Sequence, residues 1–307
     1  MTLTELRYIV TLAQEQHFGR AAERCHVSQP TLSVGVKKLE SELGVLIFER
    51  SKNAVRLTPV GEGIVAQAQK VLEQAQMVKE LAQAGKNQLA APLRVGAIYT
   101  IGPYLFPRLV PSLHQEAPEM PLYIEENFTH VLRDKLRNGE LDAIIIALPF
   151  QDADILTKAL YEEPFYVLMP ADHAWTRKQT IPSELLNSKS LLLLGEGHCF
   201  RDQVLEACPT VMQEADLNKY TTVEANSLET IRHMVASGLG VSVLPQSAVK
   251  SHHYAPGVLA VRPLADPAPT RTVAIAWRAS FPRPKAIDML ANAIENCTQS
   301  LASEILS

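Results

Sequence analysis

The stretch GRAAERCHVSQPTLSVGVKKLESELG, residues 19–44, has the pattern of two helices joined by a tight turn. A short Ala-rich helix ends at a turn that begins with His26. Ser28 is a favourable N-cap for the second helix, and Pro30 is tolerated in the first turn of that helix. Apolar residues then recur at three- and four-residue intervals up to Gly44, which ends the helix. The predicted buried stripe is Leu32, Val36, Leu39 and Leu43.

The segments on both sides of this stretch complete a DNA-binding pattern. Residues 5–13 carry apolar positions at helical spacing, which predicts a preceding helix. Residues 45–50 and 54–57 predict two short strands around a polar, basic turn at 51–53. Three helices followed by a hairpin predict a winged helix-turn-helix. The alternative is a small three-helix packing module with a charged, solvated face.

Side chains off the buried stripe are the candidate DNA contacts. Gln, Thr and Ser at the start of such a helix can reach base edges, whereas Lys side chains and hydroxyl groups can hold phosphates. Gly35 lowers helix propensity, and it either permits a close approach to DNA or reflects packing. The candidate DNA-binding residues are Gln29, Pro30, Thr31, Ser33, Lys37, Lys38, Arg50 and Lys52.

Composition places the chain among soluble proteins of two or three domains. It has 307 residues, of which 47% are hydrophobic and 20% charged, and its net charge is −4. The first 58 residues carry a net charge of +2 and the remainder −6, which favours local rather than diffuse DNA contact. Glu5 and Arg7 interrupt any signal-like start, and no apolar run approaches 18 residues. We therefore expect a cytoplasmic protein with no membrane partner.

A long helix is predicted after the hairpin. Thr58 and Pro59 form an N-cap and N1 pair, and no helix breaker follows before Gly85. Apolar residues then repeat with coiled-coil spacing, which predicts a dimerisation helix that ends in a hinge at 85–88. The alternative is a helix packed on its own body. The repeating positions are Ile64, Ala68, Val71, Ala75, Val78 and Ala82.

The remaining residues predict two α/β lobes. Strands at 93–98, 122–125 and 141–148 alternate with helices, which predicts a parallel sheet. A second set of elements begins at Phe165 and includes strands at 191–194, 221–223 and 241–244. A strand at 271–277 and a helix from about 284 are expected to return to the first lobe. In such a sheet, loops and helix N-termini at the carboxyl ends of strands form the binding cleft.

Several residues are placed at this predicted cleft. Thr100 and Thr129 are expected to begin helices there, where their hydroxyl groups can meet a small polar molecule. The alternative is that both hydroxyl groups only cap their helices. Cys199 directly follows the strand at 191–194 and would start another helix.

Two cysteines flank this last helix. If residues 199–208 are helical, the Cα atoms of Cys199 and Cys208 lie about 13 Å apart, whereas a disulfide needs about 7 Å or less. A bridge between them therefore requires the helix to unwind. Helix dipoles, His198 and Arg201 favour a thiolate at Cys199. The alternative is that both thiols are inert small hydrophobes.

The other cysteines and the metal-binding patterns carry less information. Cys25 and Cys297 fall on apolar helix faces and are expected to be structural. There is no Cys-x-x-Cys motif and no Cys/His cluster with zinc spacing, so we expect neither a metal site nor a cofactor.

The N-terminal motifs resemble those of LysR-type transcriptional regulators. The matching residues are Ala21-Ala22, Val27–Ser33, Lys38–Glu40, Leu43-Gly44, Phe48–Arg50, Leu57–Pro59 and Gly61. The resemblance implies an α/β chain with a winged helix-turn-helix at 1–58, a linker helix and hinge at 59–88, and a regulatory domain at 89–307. That domain would resemble periplasmic binding proteins, with lobe I at about 89–163 and 268–307 and lobe II at about 164–267. It also implies a dimer of dimers that binds double-stranded DNA and RNA polymerase.

Within this family, the body resembles the peroxide-sensing regulators. The matching motifs are Thr100-x-Gly-Pro-Tyr-Leu, Thr129-His130, Gly-His198-Cys199-x-Arg201-Asp202 up to Cys208, and Ser227-Leu-Glu-Thr. The resemblance implies that Cys199 is the peroxidatic thiol and Cys208 the resolving thiol. The implied ligand-binding residues are Thr100, Thr129, His198, Arg201, Asp202 and Arg271. Of these, Thr100, Thr129 and His198 would hold hydrogen peroxide, and Arg201 would lower the thiol pKa.

Three functions follow from these patterns. The first is a thiol-switched transcription regulator, which is not an enzyme and controls oxidative-stress genes. The second is a LysR-type regulator that binds a small organic anion in the cleft, with passive cysteines. The third is a thiol peroxidase with a DNA-binding head, although such an enzyme does not need residues 1–88.

Overall fold

The computed structural model describes residues 1–50, 55–84, 87–186, 191–208, 224–249 and 257–305. They fall into two compact units, Met1–Lys86 and Asn87–Ser307. Within the described ranges, no helix has both the length and the apolar character needed to cross a membrane.

The first unit contains the predicted winged helix-turn-helix. Ser28 caps the third helix, where its Oγ accepts a hydrogen bond from the Thr31 N–H, and Gly44 ends that helix with a left-handed φ of 71°. The predicted stripe is buried except for Leu43, which is 39% exposed at the C-terminal end of the helix. The elements are α1 (Leu3–Glu15), α2 (Phe18–Arg24), α3 (Gln29–Leu43), β1 (Phe48–Arg50), β2 (Val55–Leu57) and α4 (Pro59–Ala84).

Gly35 is explained by packing inside the head. A Cβ atom at this position would lie 2.7 Å from Cδ2 of Tyr8, closer than a Cβ contact normally allows. The glycine therefore lets α3 approach the Tyr8 ring of α1, which supports the packing explanation of this position.

The hairpin and the long helix are present as predicted, except that the first strand begins at Phe48 rather than at residue 45. β1 and β2 pair antiparallel, and the buried Glu40 carboxylate accepts from the Ile47 and Phe48 N–H groups at 3.0 and 3.1 Å. The Thr58 hydroxyl accepts from the Gly61 N–H at 2.9 Å, as expected of the cap of α4. The predicted hinge residues 85 and 86 lie outside the described residues.

The second unit is built on one continuous mixed sheet in the order β4-β3-β5-β11-β6-β9-β7-β8, with β10 also paired to β6. β3 is parallel to both β4 and β5, as the predicted β-α-β-α-β pattern requires. The strands are β3 (Leu93–Ile98), β4 (Leu122–Asn127), β5 (Ala143–Ala147), β6 (Ile155–Pro170), β7 (Leu191–Leu194), β8 (Glu224–Ala225), β9 (Val241–Pro245), β10 (Leu259–Pro263) and β11 (Thr270–Arg278). The helices are α5 (Gly102–Glu116), α6 (Thr129–Arg137), α7 (Cys199–Ala207), α8 (Leu228–Ala236), α9 (Gln246–Val249) and α10 (Pro284–Ile305).

Strand β6 is longer than predicted, because it begins at Ile155 rather than at Phe165. Its first part pairs with β11, and its last part pairs with β9 and β10. The strand therefore passes from one hydrophobic core to the other, and each core belongs to one α/β lobe. Residues 221–223, predicted as a strand, lie outside the described residues.

Candidate functional site

Cys199 lies at the first position of α7, with His198 as the N-cap residue. The thiol faces a small cavity at the ends of β3 and β4 and the start of α6, and these elements belong to the other lobe. The cavity leaves about 10 Å³ for the centre of a water-sized molecule, which is room for about one such molecule. Its lining residues are Ile98, Tyr99, Thr100, Asn127, Phe128, Thr129, Gly197, His198 and Cys199.

Two polar atoms at this cavity are buried without a hydrogen-bond partner. They are the Thr129 hydroxyl oxygen and Nε2 of His198. Because buried polar groups are normally paired, both atoms are suited to a ligand. Neither Thr100 nor Thr129 caps its helix: α5 and α6 follow Ile101 and Phe128 and have no side-chain cap bond. The structure therefore excludes the simple capping role.

The His198 ring is set up as a hydrogen-bond acceptor. Burial lowers its pKa, whereas a hydrogen bond to the Asn226 backbone raises it. Because Nε2 has no partner, Nδ1 is the nitrogen that donates to the Asn226 carbonyl. The neutral ring therefore presents a lone pair on Nε2.

Thr100 is held by a buried arginine. Arg271 donates from Nη1 to the Thr100 hydroxyl oxygen at 2.9 Å and from Nη2 to the Thr100 carbonyl at 3.0 Å. Its Nη2 also lies 2.7 Å from the buried Glu163 carboxylate, which accepts from the Ser247 N–H. Because the Thr100 oxygen accepts from Arg271, its own O–H is free to donate elsewhere.

The pKa of Cys199 is raised, since burial outweighs the groups that favour the thiolate. The positive charge of Arg271 lowers that pKa, and so do the nearby Thr129 hydroxyl and the Phe200 N–H. The contact of the Thr129 hydroxyl with the thiol does not meet the usual distance and angle limits of a hydrogen bond. The negative charge of Asp202, which is exposed in the first turn of α7, raises it.

Arg201 is placed differently from its expected role. Its guanidinium donates to the Leu194 carbonyl at 2.8 Å and so joins α7 to the end of β7. The charge of Arg271, in β11, lowers the pKa of Cys199. The resemblance implied Arg271 as a ligand-binding residue, and the structure brings it to the site through its hydrogen bonds to Thr100.

Cys208 lies at the opposite end of α7, as its C-cap residue. It is fully buried in the core of its lobe. Burial, with a smaller contribution from the Glu184 charge, raises its pKa to about 11. All four cysteines are free thiols. Cys297 is buried in the first-lobe core and Cys25 is half-buried in the head.

The predicted DNA-contacting residues mostly lie on the surface of α3. Gln29, Pro30, Thr31, Lys37 and Lys38 are exposed, whereas Ser33 is half-buried. The Lys38 ammonium group forms an ion pair with Glu5 at 2.8 Å, so part of its charge is already compensated. Arg50 ends β1, and Lys52 lies outside the described residues.

Several residues of the site were not predicted, among them Glu163 and Phe128. Glu163 holds Arg271, and Phe128 lines the cavity. A carboxylate inside an otherwise strand-like run could have indicated the role of Glu163. Nothing in the sequence around Phe128 indicated its role. Among the residues that the structure describes, no group of three His, Cys, Asp or Glu side chains is arranged to hold a metal ion.

Comparison with known proteins identifies both units. Residues 3–62 match the bacterial regulatory helix-turn-helix protein model of the lysR family, and residues 86–297 match the LysR substrate binding domain model. The chain is 40% identical over 294 residues to the DNA-binding transcriptional dual regulator OxyR of Escherichia coli K12, which covers 96% of this chain and 95% of that protein.

Solved structures agree with this assignment. Full-length OxyR C199D from Pseudomonas aeruginosa is 82% identical, with a TM-score of 0.77 over 96% of this chain and 94% of that one. A mutant of Corynebacterium glutamicum OxyR bound to hydrogen peroxide is 32% identical, with a TM-score of 0.65 over 98% of this chain and 94% of that one. The chain therefore belongs to the LysR family of bacterial transcriptional regulators, in the group that contains OxyR.

Proposed function

We propose that this chain is a transcription regulator whose DNA binding is switched by hydrogen peroxide. The observation that carries the proposal is the cavity at Cys199. It has room for about one water-sized molecule, and it contains a thiol and two buried polar atoms that lack partners. The relatives named above, one of them bound to hydrogen peroxide, support the same assignment.

The side chains around the cavity suit the first chemical step. The Thr100 O–H would donate to peroxide, and His198 Nε2 would accept from it. The Cys199 thiolate then attacks one peroxide oxygen, a sulfur–oxygen bond forms and the O–O bond breaks. Hydroxide leaves and takes up a proton to become water. The sulfur is thereby oxidised to a sulfenic acid, and Arg271 favours the thiolate that starts the step.

Cys208 would complete the switch. Its thiolate attacks the Cys199 sulfur, the hydroxyl group leaves as water after protonation, and a disulfide forms. About 13 Å of helix separates the two Cα atoms, so this bridge requires α7 to unwind. A single bond thus selects between two packed states of the lobe.

The change in the lobe would be transmitted to DNA through the oligomer. We propose a dimer of dimers in the cytoplasm that contacts operator DNA through α3 and the hairpin, and that works with RNA polymerase at oxidative-stress genes. Half-site spacing follows dimer geometry, so a repacked oligomer changes promoter contacts. The chain acts as a switch in this proposal and does not turn over peroxide as an enzyme.

The test is peptide mapping under non-reducing conditions after one equivalent of hydrogen peroxide is added to fully reduced protein. An intramolecular Cys199–Cys208 bridge within seconds is expected, with Cys25 and Cys297 still reduced. Cys199→Ser should abolish the response and leave reduced-state DNA binding intact. If Cys199 oxidises no faster than Cys25 and Cys297, the proposal is wrong.

The competing hypothesis places a small organic anion in the cleft. The cavity at Cys199 is too small for such a molecule, so this ligand would bind elsewhere between the lobes. A metabolite that shifts DNA binding of the double variant C199S/C208S would support the competing hypothesis. Sustained peroxide turnover with a reductant would instead indicate a peroxidase.

A further inference from the structure

Phe128 forms a wall of the cavity in front of Cys199. The residue is the N-cap of α6, and it is half-buried. The ring contacts His198 with centroids 4.8 Å apart, and it contacts Tyr99 with centroids 5.3 Å apart, both edge to face. The wall is therefore made of rings that hold one another in place.

The Phe128 ring is also held from its other sides. His130 stacks on it with centroids 5.8 Å apart and an interplanar angle of 18°. The Gly197 backbone has a φ of 93°, and a Cβ atom there would lie 3.4 Å from Cδ1 and Cε1 of the ring. Because the Phe128 ring contacts three other rings and the Gly197 backbone, it has little freedom to rotate away from the cavity.

We infer that Phe128 is a specificity-determining residue: its ring limits the oxidant that reaches Cys199 to a molecule the size of hydrogen peroxide and excludes alkyl hydroperoxides. The cavity leaves about 10 Å³ for the centre of a water-sized molecule, so an alkyl group has no room beside the reacting oxygens. This inference rests on the proposed function, and it names the residue that sets the substrate range.

The chemistry of the thiol does not make this distinction. With an alkyl hydroperoxide, the Cys199 sulfur would bond to the terminal oxygen and the O–O bond would break. The alkoxide would take up a proton and leave as an alcohol, the sulfur being oxidised to a sulfenic acid and the hydroperoxide reduced. Because the reacting atoms are the same for both oxidants, discrimination comes from the space around them.

The test compares two oxidants on full-length reduced protein. Rate constants for Cys199 oxidation are measured with hydrogen peroxide and with tert-butyl hydroperoxide, and their ratio is taken for the parent, Phe128→Ala and Phe128→Leu. We expect the ratio to fall at least tenfold in Phe128→Ala, mainly because the tert-butyl hydroperoxide rate rises, and to fall less in Phe128→Leu. Phe150→Ala, which truncates a half-buried ring packed against the core of the first lobe, should leave the ratio unchanged.

The ratio distinguishes loss of the Phe128 ring from a general disturbance of the site. If His198 were displaced, Cys199 oxidation would slow with both oxidants and their ratio would not change. Thermal unfolding shows whether each variant folds, and Phe128→Leu decides the question if Phe128→Ala does not. A ratio within twofold of the parent in the folded variants overturns the inference while the proposed function stands. A parent whose Cys199 does not react with hydrogen peroxide overturns both.

Discussion

The reactivity of Cys199 is a balance between burial and one arginine. Burial raises the thiol pKa, and the charge of Arg271 lowers it. The same guanidinium fixes the Thr100 hydroxyl and is itself held by Glu163. One residue therefore adjusts the nucleophile and also positions a hydrogen-bond donor for its oxidant.

Replacing Arg271 should slow Cys199 oxidation. In Arg271→Met the charge that favours the thiolate is gone, so the thiol pKa rises further and the thiolate fraction at pH 7 falls. Each unit of pKa is about tenfold in that fraction, and we expect a rate with hydrogen peroxide at least tenfold lower. A pH series should show the rising part of the rate curve displaced to higher pH.

A second variant separates reactivity from stability. Arg271→Met leaves Glu163 buried without its ion pair, which costs roughly 3–5 kcal/mol of folding free energy. The double variant R271M/E163L removes the unpaired carboxylate and should recover much of that stability without recovering the rate. A double variant that oxidises as fast as the parent would mean that the slow reaction came from misfolding.

The raised pKa of Cys208 predicts a loss of stability at alkaline pH. The pKa is about 11 in the folded protein and near 9 for an ordinary thiol, so the unfolded chain loses its proton first as pH rises. The stability contributed by the protonated thiol is present below about pH 9 and is lost as pH rises to 11. At pH 10.5 the loss is about 2 kcal/mol.

Urea unfolding of reduced protein at pH 8 and pH 10.5 measures this loss. Cys208→Ala lacks the thiol, so its stability relative to the parent should improve by about 2 kcal/mol between the two pH values. An equal change in parent and variant would show that Cys208 does not titrate in this way.

At the level of residues, the sequence was informative where chemistry is local. The motifs at Thr100, Thr129 and His198-Cys199 are short and contiguous, and the structure brings them to one cavity. The role of Glu163 depends on a partner 108 residues away in β11, which no local pattern contains. The direction of a side chain could not be predicted from the sequence either. Arg201 is close to Cys199 in sequence, but its guanidinium donates to the Leu194 carbonyl.

Helix α7 is the element on which the proposed switch depends. Its buried face is short, with Phe200 and Val204 in the core, while Asp202 and Glu206 are exposed. Nine residues give a helix of about two and a half turns, which has little stability apart from its packing. A disulfide that requires this helix to unwind is therefore sensitive to helix propensity at exposed positions.

Substitutions at Glu206 should shift the thiol–disulfide equilibrium. Gly is about 1 kcal/mol less favourable than Ala in a helix, and the disulfide form has lost that helix in our proposal. Glu206→Gly should therefore favour the disulfide roughly fivefold more than Glu206→Ala does. The measurement is the equilibrium of the Cys199–Cys208 pair in glutathione redox buffers.

The matched control is an Ala and a Gly substitution at an exposed position of α6, a helix that does not unwind in our proposal. Asp134 is exposed on α6, and Asp134→Ala and Asp134→Gly should differ in thermal stability but not in redox equilibrium. If the Glu206 pair also gives equal redox equilibria, α7 remains helical in the disulfide form and the proposed unwinding is wrong.

Prediction of the elements was best where hydrophobic periodicity was unbroken. Helix α3 and strands β3 and β5 were predicted to within two residues at most bounds, because their apolar patterns end at clear caps or turns. β6 was predicted ten residues short, since its first part carries polar residues, of which Lys158 and Glu162 are exposed and Glu163 is buried. The burial of Glu163 depends on its ion pair with Arg271 in β11, which is distant in sequence.

At the scale of the whole molecule, the exposed stripe of α4 is the feature to explain. Ala68 is buried in the core of the head, but Val71 is 36% and Val78 67% exposed on the same predicted stripe. Apolar residues that continue at coiled-coil spacing beyond the core of their own unit favour a second helix as partner. We therefore expect α4 to pair two copies of the chain.

Val78→Glu should weaken this pairing. The substitution places a carboxylate in the apolar interface from each of the two copies, so the cost of desolvating it opposes association. Sedimentation of reduced protein near 1 µM should give a smaller mass than the parent, and operator affinity should fall at least tenfold because two linked heads no longer bind together. Gln76→Glu, an exposed charge change two residues away and on nearly the opposite side of α4, should alter neither quantity. An unchanged mass for Val78→Glu would instead favour a helix that packs on its own body.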